Sequence, residues 1–402
     1  MFPDRVLSGM RPTGRLHLGH YHGALKNWIK LQHEHPCYFF VADWHALTSH
    51  YQTPEVIEEY TFDTVIDWIG AGIDPAQATL FVQSRVPQHA ELTLLMSFFT
   101  PLSWLERVPT YKDQVEKHAQ FGRDLTTYGF LGYPLMQAAD ILIYRANRVP
   151  VGEDQVAHIE LTRELARRFN HLFGREKGFE DKAEAAIKKL GSKKAKLYNQ
   201  LRTRFQQEGD EAALETAREL LADVQNLSMG DRERLFGYLE GGGKVILPEP
   251  QSLLTVTPRL VGTDGGKMSK SLDNTIDLRD TPDAISNKVK KMPTDPARIR
   301  RTDPGDPEKC PVWTLHQVYS DEARRQWVVE GCKSAGIGCL ECKQPVIDAI
   351  VHELAPMRER AAPFEDDPTL VKNILADGCE KARDTAEETM RDVRDAMGLA
   401  FS

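Results

Sequence analysis

The sequence has no long run of apolar residues, and this absence argues against a membrane-spanning protein. None of its apolar stretches approaches the roughly 20 residues that a transmembrane helix needs. The first residues lead directly into a predicted strand and lack the pattern of a signal peptide. No internal repeat stands out. With 402 residues, of which 41% are hydrophobic and 27% charged, we expect a cytoplasmic globular protein of two or three domains.

The chain also lacks an excess of positive charge. It carries 51 Lys and Arg against 59 Asp and Glu, a formal net charge of −8, which argues against indiscriminate binding to nucleic acids. A local basic segment at residues 288–301 could still contact RNA, although a solvated helix face and loop explain it equally well. Its basic side chains are Lys288, Lys290, Lys291, Arg298, Arg300 and Arg301.

Cysteine is scarce, but four of the six cysteines lie close together in the sequence, at Cys310, Cys332, Cys339 and Cys342. In a cytosolic chain such cysteines are more often reduced or metal-bound than paired in disulfides. A Cys-x2-Cys preceded by two further cysteines can supply four thiolates to zinc or to an iron–sulfur cluster. Cys37 and Cys379 stand apart, and we predict that they are ordinary buried thiols.

What the sequence does contain is an alternation of short apolar strands with helices. Strands are predicted at residues 5–9, 36–42 and 79–83, and helices at 18–31 and 54–70. This alternation predicts a parallel sheet covered on both faces, which is a Rossmann-like α/β fold. Ligands of such sheets lie beyond the carboxyl ends of the strands. The turn after the first strand and residues Asp43 to His45 both fall there.

Changes in composition predict four segments. The first part of the Rossmann-like domain covers residues 1–173, and a charged helical insertion covers 174–243. The chain returns to the Rossmann-like domain at 244–280, and an all-α region covers 281–402, with helices at 281–291, 313–329, 345–357, 367–375 and 381–397. The insertion could contact a partner through its lysines, shield an interface, or be a tolerated elaboration of the surface.

Two motifs carry the chemistry of phosphate binding. Residues 262–271 form a loop with three glycines that ends in the string KMSKS, whose lysines and serines suit a polyphosphate. Such a loop, taken alone, is about as often plain solvated surface. Near the N-terminus, His17 and His20 flank Gly19 in the string HLGH at the predicted start of a helix, where backbone amides favour phosphate. The pairing of the two motifs is far more specific than either one.

A third feature is a predicted helix at residues 132–142 that is apolar almost all round yet carries Asp140. Tyr133, Gln137 and Asp140 are spaced to share one face. A buried carboxylate needs a donor, so Asp140 either pairs within the protein or accepts from a substrate N–H or O–H in an aromatic-sized pocket. Beyond the next predicted strand, Gly152 permits close backbone approach, and Asp154 could accept from ribose hydroxyls or cap a helix.

These motifs occur in the order HLGH, 133–140, 149–160 and KMSKS, and the chain thereby resembles the bacterial tryptophanyl-tRNA synthetases, a family of class I aminoacyl-tRNA synthetases. The similarity covers nearly everything except the insertion and is close at residues 8–14 and 149–155. It implies a tryptophan–tRNA ligase that forms tryptophanyl-adenylate and pyrophosphate from tryptophan and ATP, then transfers tryptophan to tRNA(Trp).

The resemblance also implies the site residues. The catalytic set is His17, His20, Lys267 and Lys270. The ATP-binding set is Arg11, Pro12, Thr13, Gly19, His20, Gly152, Glu153, Asp154, Leu260, Lys267, Met268, Ser269, Lys270 and Ser271. The tryptophan-binding set is Leu7, Gly9, His45, Tyr133, Gln137, Asp140, Val149 and Val151, and in this family the acid that matches Asp140 accepts from the indole N–H.

Cofactors and partners follow from the same resemblance. They are ATP, Mg²⁺, L-tryptophan, tRNA(Trp), a second copy of the chain in a homodimer and, in one branch of the family, a [4Fe–4S] cluster near the anticodon-binding surface. That cluster would be held by Cys310, Cys332, Cys339 and Cys342. The rivals are a tyrosyl-tRNA synthetase, which shares the fold and the acid, a small nucleotidylyltransferase with the HxGH motif, and a non-catalytic RNA-binding paralogue. The paralogue would be marked by loss of motifs that are intact here.

Overall fold

The structure, a computed structural model, describes residues 2–108, 126–175, 178–254 and 260–401, except for the side chains of Asp154 and Ser271. Five strands form one sheet in the order β3-β2-β1-β4-β5. β1 runs parallel to β4 and β2 runs parallel to β3, which confirms the predicted α/β fold. The strands are β1 (Val6–Met10), β2 (Cys37–Val41), β3 (Ala78–Val82), β4 (Arg148–Val151) and β5 (Gln251–Leu254).

The central strands are apolar because both faces of the sheet are covered. β2 and β3 are each buried at four of five positions, the pattern of a parallel strand with helices on both sides. On one face Phe39 stacks on Trp28, with ring centroids 4.3 Å apart, and Trp28 meets Trp68 edge-on at 5.5 Å. All three rings are almost fully buried. Cys37 and Cys379 are buried thiols, as predicted.

Helices separate the strands along the chain. A π-helical turn (Tyr21–Leu25) joins α1 to α2, so the predicted helix at 18–31 is continuous but underwound in its middle. The helices up to the insertion are α1 (Leu18–His20), α2 (Lys26–Leu31), α3 (Asp43–His50), α4 (Val56–Ala71), α5 (Gln88–Ser97), α6 (Leu102–Glu106), α7 (Tyr128–Ile143) and α8 (Val156–Phe173). Within the described ranges, no helix combines the length and apolarity needed to cross a membrane.

The chain packs as two compact units, and neither is continuous in sequence. Unit 1 consists of the described residues within Met1–Ser8, Gln83–Leu253 and Cys379–Ser402, and unit 2 of those within Gly9–Val82 and Leu254–Gly378. These divisions cross the predicted segments at 173, 243 and 280, so the four-segment scheme stays a prediction.

The insertion folds into helices around a small core of its own. Tyr198, Leu214 and Leu235 are among its buried side chains, and the Tyr198 hydroxyl donates to the Leu235 carbonyl at 2.6 Å. The buried positions recur at helical spacing, whereas the lysines between them face solvent. The helices are α9 (Phe179–Lys189), α10 (Ser192–Glu208), α11 (Glu211–Ala222) and α12 (Met229–Leu239).

The C-terminal region is helical as predicted, but several predicted boundaries were wrong. The helix predicted at 345–357 is longer and covers Cys339–Asp366. The break predicted between two helices at residues 376–380 is absent, and one helix runs through these residues. Gly378 lies within it, where the helix backbone contacts β3: a Cβ there would lie 1.8 Å from the Leu80 carbonyl oxygen. The predicted helix at 313–329 is instead two helices, since Asp321 caps a new one by accepting from the Arg324 N–H. The helices are α13 (Pro282–Lys291), α14 (Pro311–Tyr319), α15 (Glu322–Lys333), α16 (Cys339–Asp366) and α17 (Pro368–Ala396).

Candidate active site

The HLGH motif begins α1, and its two histidines cap the helix they start. His17 Nδ1 accepts from the Gly19 N–H at 3.1 Å, and His20 Nδ1 accepts from the His17 N–H at 3.2 Å. The imidazole centroids are 3.9 Å apart. Gly19 is required between them, because a Cβ there would lie 2.9 Å from the His17 ring. The motif is therefore a closed, self-capped turn.

The protonation state of this pair follows from its surroundings. Burial, with a further contribution from nearby Lys270, lowers the pKa of His17 to about 4. Burial, the neighbouring His17 and Lys270 lower the pKa of His20 well below its ordinary value. Both rings are neutral at pH 7, and since each Nδ1 accepts a backbone hydrogen bond, each Nε2 carries the proton. The motif thus offers two neutral N–H donors, which suit phosphate oxygens.

Lys270 of the KMSKS string joins the same part of unit 2. Its Nζ donates to the Gly14 carbonyl at 2.6 Å. Gly14 has φ +109°, and a Cβ there would lie 3.4 Å from the lysine side chain, so a glycine suits both the backbone and the contact. Burial lowers the pKa of Lys270 to about 8, although Asp67, Asp277 and Asp63 oppose this. Lys270 is therefore a cation close to its titration range.

Asn274 holds the backbone of the KMSKS loop in place. Its Nδ2 donates to the Lys267 carbonyl at 3.0 Å and to Asp264 Oδ1 at 2.8 Å, and its Oδ1 accepts from the Ser269 N–H at 2.7 Å. Asn274 is 1% exposed. Sequence reasoning missed it, although an amide three residues beyond the motif is a recognisable candidate for closing a loop. Lys267 itself is exposed and Met268 is buried.

The segment after this loop is tied to the HLGH turn by backbone hydrogen bonds. The Leu18 N–H donates to the Ile276 carbonyl at 3.0 Å, and the Leu278 N–H donates to the Leu16 carbonyl at 2.9 Å. The Leu16 N–H in turn donates to Asp67 Oδ2 at 2.6 Å. The two signature motifs are therefore parts of one hydrogen-bonded arrangement within unit 2.

A buried ion cluster supports that arrangement. Arg279 Nε donates to Asp67 Oδ1 at 2.7 Å, and the same guanidinium donates to Asp63 and to Glu365. The side chains of Arg279 and Asp67 are 5% and 0% exposed. A buried carboxylate needs such a partner. Because Asp67 also holds the Leu16 amide, Arg279 acts indirectly on the position of His17.

A second network links the π-helical turn to the C-terminal helices of unit 2. Glu353 on α16 accepts from His22 Nε2 at 3.0 Å, from the Tyr319 hydroxyl at 2.8 Å and from Lys26 Nζ at 3.0 Å. Burial alone would raise the pKa of Glu353, but the hydrogen bonds from His22, Tyr319 and Lys26 outweigh it and lower the pKa from 4.5 to about 2.

This network predicts a loss of stability in acid. Because the folded-state pKa of Glu353 lies below its unfolded value, its stabilising contribution is present above pH 4.5 and is lost as the pH falls towards 2. We expect Glu353→Gln to lower the free energy of unfolding at pH 7 by about 2 kcal/mol and to flatten its dependence on pH between about 4.5 and 2. Urea unfolding at several pH values measures both effects.

The matched control is Glu388→Gln, at an exposed position on α17. This variant should keep the wild-type dependence on pH. If Glu353→Gln and Glu388→Gln lose stability in parallel as the pH falls, Glu353 does not carry the effect.

In unit 1, Asp140 is satisfied by two donors from within the protein. Gln83 Nε2 donates to Asp140 Oδ1 at 2.8 Å, and His89 Nδ1 lies 2.6 Å from the same oxygen. His89 Nε2 lies 2.7 Å from the Tyr144 hydroxyl. All four side chains are essentially buried. Sequence reasoning missed Gln83 and His89, although the strand order places the residues that follow β3 at the carboxyl end of the sheet.

Tyr133 and Gln137 share a different partner, His158 on α8. His158 Nδ1 donates to Gln137 Oε1 at 2.6 Å, so its Nε2 accepts from the Tyr133 hydroxyl at 3.3 Å. His158 is 1% exposed and was also missed, although it lies within the 149–160 motif. One face of α7 thus carries two separate hydrogen-bonded groups, one at Asp140 and one at Tyr133 and Gln137.

The remaining predicted residues differ in exposure. Leu7, His45, Val149, Pro12 and Leu260 are buried, Thr13, Val151 and Gly152 are intermediate, and Gly9, Arg11 and Glu153 are exposed. Gly9 needs to be a glycine, since a Cβ there would lie 2.6 Å from the Phe40 ring. Leu260 of the predicted ATP-binding set lies outside β5 (Gln251–Leu254). The predicted contacts of the Asp154 and Ser271 side chains lie outside the described residues.

The four clustered cysteines line one cavity in unit 2. The cavity is bounded by Cys310, Cys332, Cys339 and Cys342 together with Thr294, Asp295, Arg298, Val312 and Lys343. Cys310 directly precedes α14, and Cys332 lies in the last turn of α15. Cys339 and Cys342 lie in the first turn of α16. Arg298 is 9% exposed and donates to Cys332 Sγ at 3.8 Å and to the Arg301 carbonyl at 3.2 Å.

The position of Arg298 corrects the prediction that the whole basic segment at 288–301 could contact RNA. Because its guanidinium is buried at the cysteine cavity, it is not available to RNA. Lys288 pairs with Asp280 at 2.6 Å. The basic side chains of the segment that remain exposed are Lys290, Lys291, Arg300 and Arg301.

Comparisons with known proteins agree with these motifs. A model of the family described as tRNA synthetases class I (W and Y) matches residues 3–208 and 210–355. A tryptophan–tRNA ligase from Ralstonia nicotianae is 68% identical over 402 residues, which is 100% of both chains. One from Thermotoga maritima is 43% identical and is matched over 99% of this chain and 100% of its own.

The chain belongs to the tryptophan–tRNA ligases of class I. These ligases are enzymes, and their reaction implies tryptophan, tRNA(Trp) and ATP with Mg²⁺ as partners of this ligase. Among solved structures, a tryptophanyl-tRNA synthetase from Campylobacter jejuni, complexed with ADP and tryptophan, has a TM-score of 0.72 at 27% identity, over 98% of this ligase and 100% of that chain. The tyrosyl, nucleotidylyltransferase and non-catalytic alternatives are thereby set aside.

Proposed function

We propose that this ligase divides tryptophan activation between the two groups of residues described above. In unit 2, the Nε2–H groups of His17 and His20 and the ammonium of Lys270 bind the polyphosphate of ATP, with Lys267 and the backbone of the KMSKS loop beside it. In unit 1, Asp140 accepts from the indole N–H of tryptophan. The strongest support is the hydrogen-bonded arrangement of HLGH with the segment that follows KMSKS, which combines neutral donors with the half-buried cation of Lys270.

The reaction requires no covalent intermediate with the enzyme. A carboxylate oxygen of tryptophan attacks the α-phosphorus of ATP, the bond to the β-phosphate oxygen breaks, and pyrophosphate leaves. The 2′-hydroxyl of the terminal adenosine of tRNA then attacks the carbonyl of the adenylate and releases AMP. Both steps depend on positioning and on stabilisation of charge. Lys267 and Lys270 offset the charge that develops on pyrophosphate, and Mg²⁺ would share that charge.

ATP–pyrophosphate exchange with tryptophan and with tyrosine tests this proposal. We expect exchange with tryptophan alone. Exchange that persists when both His17 and Lys270 are replaced would remove the proposed roles of unit 2. Exchange with tyrosine would remove the proposed role of the tryptophan-binding set while leaving the phosphate roles in place.

A [4Fe–4S] cluster at the four cysteines is also proposed, as the family resemblance implies. Four thiolates around one cavity are the ligand set of such a cluster, and Arg298 and Lys343 also line that cavity. Zinc is the alternative for four thiolates. Among the residues that the structure describes, no group of three or more His, Cys, Asp or Glu is arranged to hold a metal ion.

Iron, sulfide and zinc analysis of protein purified without air distinguishes the alternatives. We expect iron and sulfide with a visible absorption band, and loss of all three in Cys339→Ser. Equimolar zinc without iron, or neither metal, would overturn the cluster. Cys379→Ser, at a buried thiol outside the cavity, is the control and should keep the iron. Limited proteolysis of the region from Cys310 to Cys342 would report its structural role independently of activity.

The same region is proposed to bind the anticodon of tRNA. It carries the exposed basic side chains of Lys290, Lys291, Arg300 and Arg301 next to the cysteine cavity. Phosphate contacts of this kind supply affinity that salt weakens. The residues 281–402 would thus form the tRNA-binding domain of the four-segment scheme.

Homodimer formation is also proposed, on the basis of exposed apolar side chains in unit 1. Leu94 and Phe98 lie one helical turn apart, and Leu102 and Tyr128 lie on the neighbouring helices, with exposed fractions between 58% and 78%. Large exposed apolar groups of this kind are typical of protein interfaces. Sedimentation of Phe98→Asp against the wild type tests the assignment, and a variant that remains dimeric would remove it. The cytoplasmic location stays a prediction.

A further inference from the structure

We propose that His89 and Gln83 are positioning residues that hold the Asp140 carboxylate as an oriented acceptor, and that they thereby set the preference of the site for a ligand with an indole N–H. This inference rests on the proposed role of Asp140. Neither residue belongs to the predicted tryptophan-binding set, and neither needs to touch tryptophan in order to act.

The geometry of the two donors is specific. Both bond the same oxygen of Asp140, Oδ1, at 2.8 Å from Gln83 Nε2 and 2.6 Å from His89 Nδ1. They approach from different elements, since Gln83 directly follows β3 and His89 lies on α5. Gln83 and His89 are 0% exposed and Asp140 is 1% exposed. Two donors on one oxygen fix the rotation of the carboxylate far more tightly than one donor would.

The Asp140 carboxylate determines which atom of His89 donates to it. Because the Asp140 carboxylate accepts, Nδ1 of His89 donates to it. Nε2 of the same ring lies 2.7 Å from the Tyr144 hydroxyl. Gln83 and His89 both donate to Asp140, so its carboxylate is held as an acceptor.

Gln83 adds a second feature that suits an N–H ligand. Its Oε1 is buried and has no hydrogen-bond partner among the described residues. A buried acceptor without a donor costs free energy that a ligand N–H could recover. A ligand without the N–H would leave this oxygen unsatisfied and would give Asp140 no donor beyond Gln83 and His89, and a penalty of this kind is how a polar site rejects such an analogue.

The test compares tryptophan with β-(3-benzothienyl)alanine, in which sulfur replaces the indole N–H. Dissociation constants of both ligands are measured for the wild type, His89→Leu, Gln83→Met and Asp140→Asn. The preference for tryptophan is the dissociation constant of the analogue divided by that of tryptophan. We expect this ratio to fall about 10-fold in His89→Leu and in Gln83→Met, mainly through weaker binding of tryptophan, because one oriented hydrogen bond contributes about 1–1.5 kcal/mol. The KM for ATP should change much less.

A conservative variant controls for packing. The side-chain amide of His89→Asn can replace the Nδ1–H donor but not the link to Tyr144, so this variant should recover most of the preference for tryptophan. It also keeps the test available should His89→Leu fail to fold, which thermal unfolding would reveal.

The outcomes separate the inference from the proposed function on which it rests. If His89→Leu and Gln83→Met weaken both ligands equally, the two residues only pack the core and the inference is overturned. If Asp140→Asn alone lowers the ratio, Asp140 keeps its proposed role and the positioning role of its neighbours fails. If Asp140→Asn leaves the ratio unchanged, the proposed role of Asp140 fails as well.

Discussion

Lys270→Ala should lower the rate of tryptophanyl-adenylate formation about 100- to 1,000-fold, the usual effect of removing one group that stabilises developing charge. Lys270 Nζ is held 2.6 Å from the Gly14 carbonyl, in the arrangement that also contains His17 and His20. The alanine variant keeps the loop backbone, because Asn274 holds it through the Lys267 carbonyl and the Ser269 amide. Binding of tryptophan should therefore change little. Pre-steady-state adenylate formation and equilibrium binding of tryptophan measure the two effects separately.

The charge of Lys270 provides the control. Because its pKa is lowered to about 8, the free enzyme loses this cation as the pH rises through 8, and kcat/KM for ATP should fall over the same range. Lys270→Arg cannot lose its charge there, so the slower activity of that variant should not show this fall. Equal losses of adenylate formation and tryptophan binding in Lys270→Ala would contradict a role confined to phosphate.

Arg279→Met should destabilise the protein by about 3–5 kcal/mol, the usual cost of removing one partner of a buried ion pair. The substitution leaves Asp67, whose side chain is fully buried, without its guanidinium, and Asp63 loses the same partner. Since Asp67 also holds the Leu16 amide at 2.6 Å, the variant should in addition raise the KM for ATP. Denaturant unfolding and ATP–pyrophosphate exchange measure the two effects.

The same substitution at a solvent-exposed arginine is the control for Arg279. Arg301 has a side chain that is 76% exposed, and its nearest carboxylate, on Glu341, lies 3.9 Å away. Arg301→Met should cost well under about 1 kcal/mol. If Arg279→Met unfolds at the same denaturant concentration as Arg301→Met, the ion cluster contributes nothing that an exposed pair does not.

The two predictions concern the same hydrogen-bonded arrangement of the HLGH turn and the KMSKS loop. Lys270 would act on the reacting phosphate, whereas Arg279 would act through Asp67 and Leu16 on the turn that carries His17. If Arg279→Met leaves the chemical step in the bound complex unchanged, its loss of activity should appear in KM more than in kcat. A loss in Lys270→Ala would appear in kcat, because the charge that it stabilises develops only as pyrophosphate leaves.

Some features could be predicted because the information lies within a few residues. The strands β1 to β3, the helix that carries Asp140 and the glycine between His17 and His20 follow from periodicity, caps and turns. The helix boundaries near Gly378 could not be predicted in this way. A glycine usually weakens a helix, but here it allows the helix backbone to approach Leu80, and only the packing reveals that use.

The sequence by itself therefore determined the fold class, the family motifs and the candidates for phosphate binding, because each depends on short-range pattern and residue chemistry. The tertiary structure decided which groups support them. Asp140 meets Gln83 and His89 from 57 and 51 residues away, and Arg279 meets Asp67 from 212 residues away. Such partners are selected by the burial of charge and of hydrogen-bonding groups in three dimensions, and no local pattern in the chain encodes that burial.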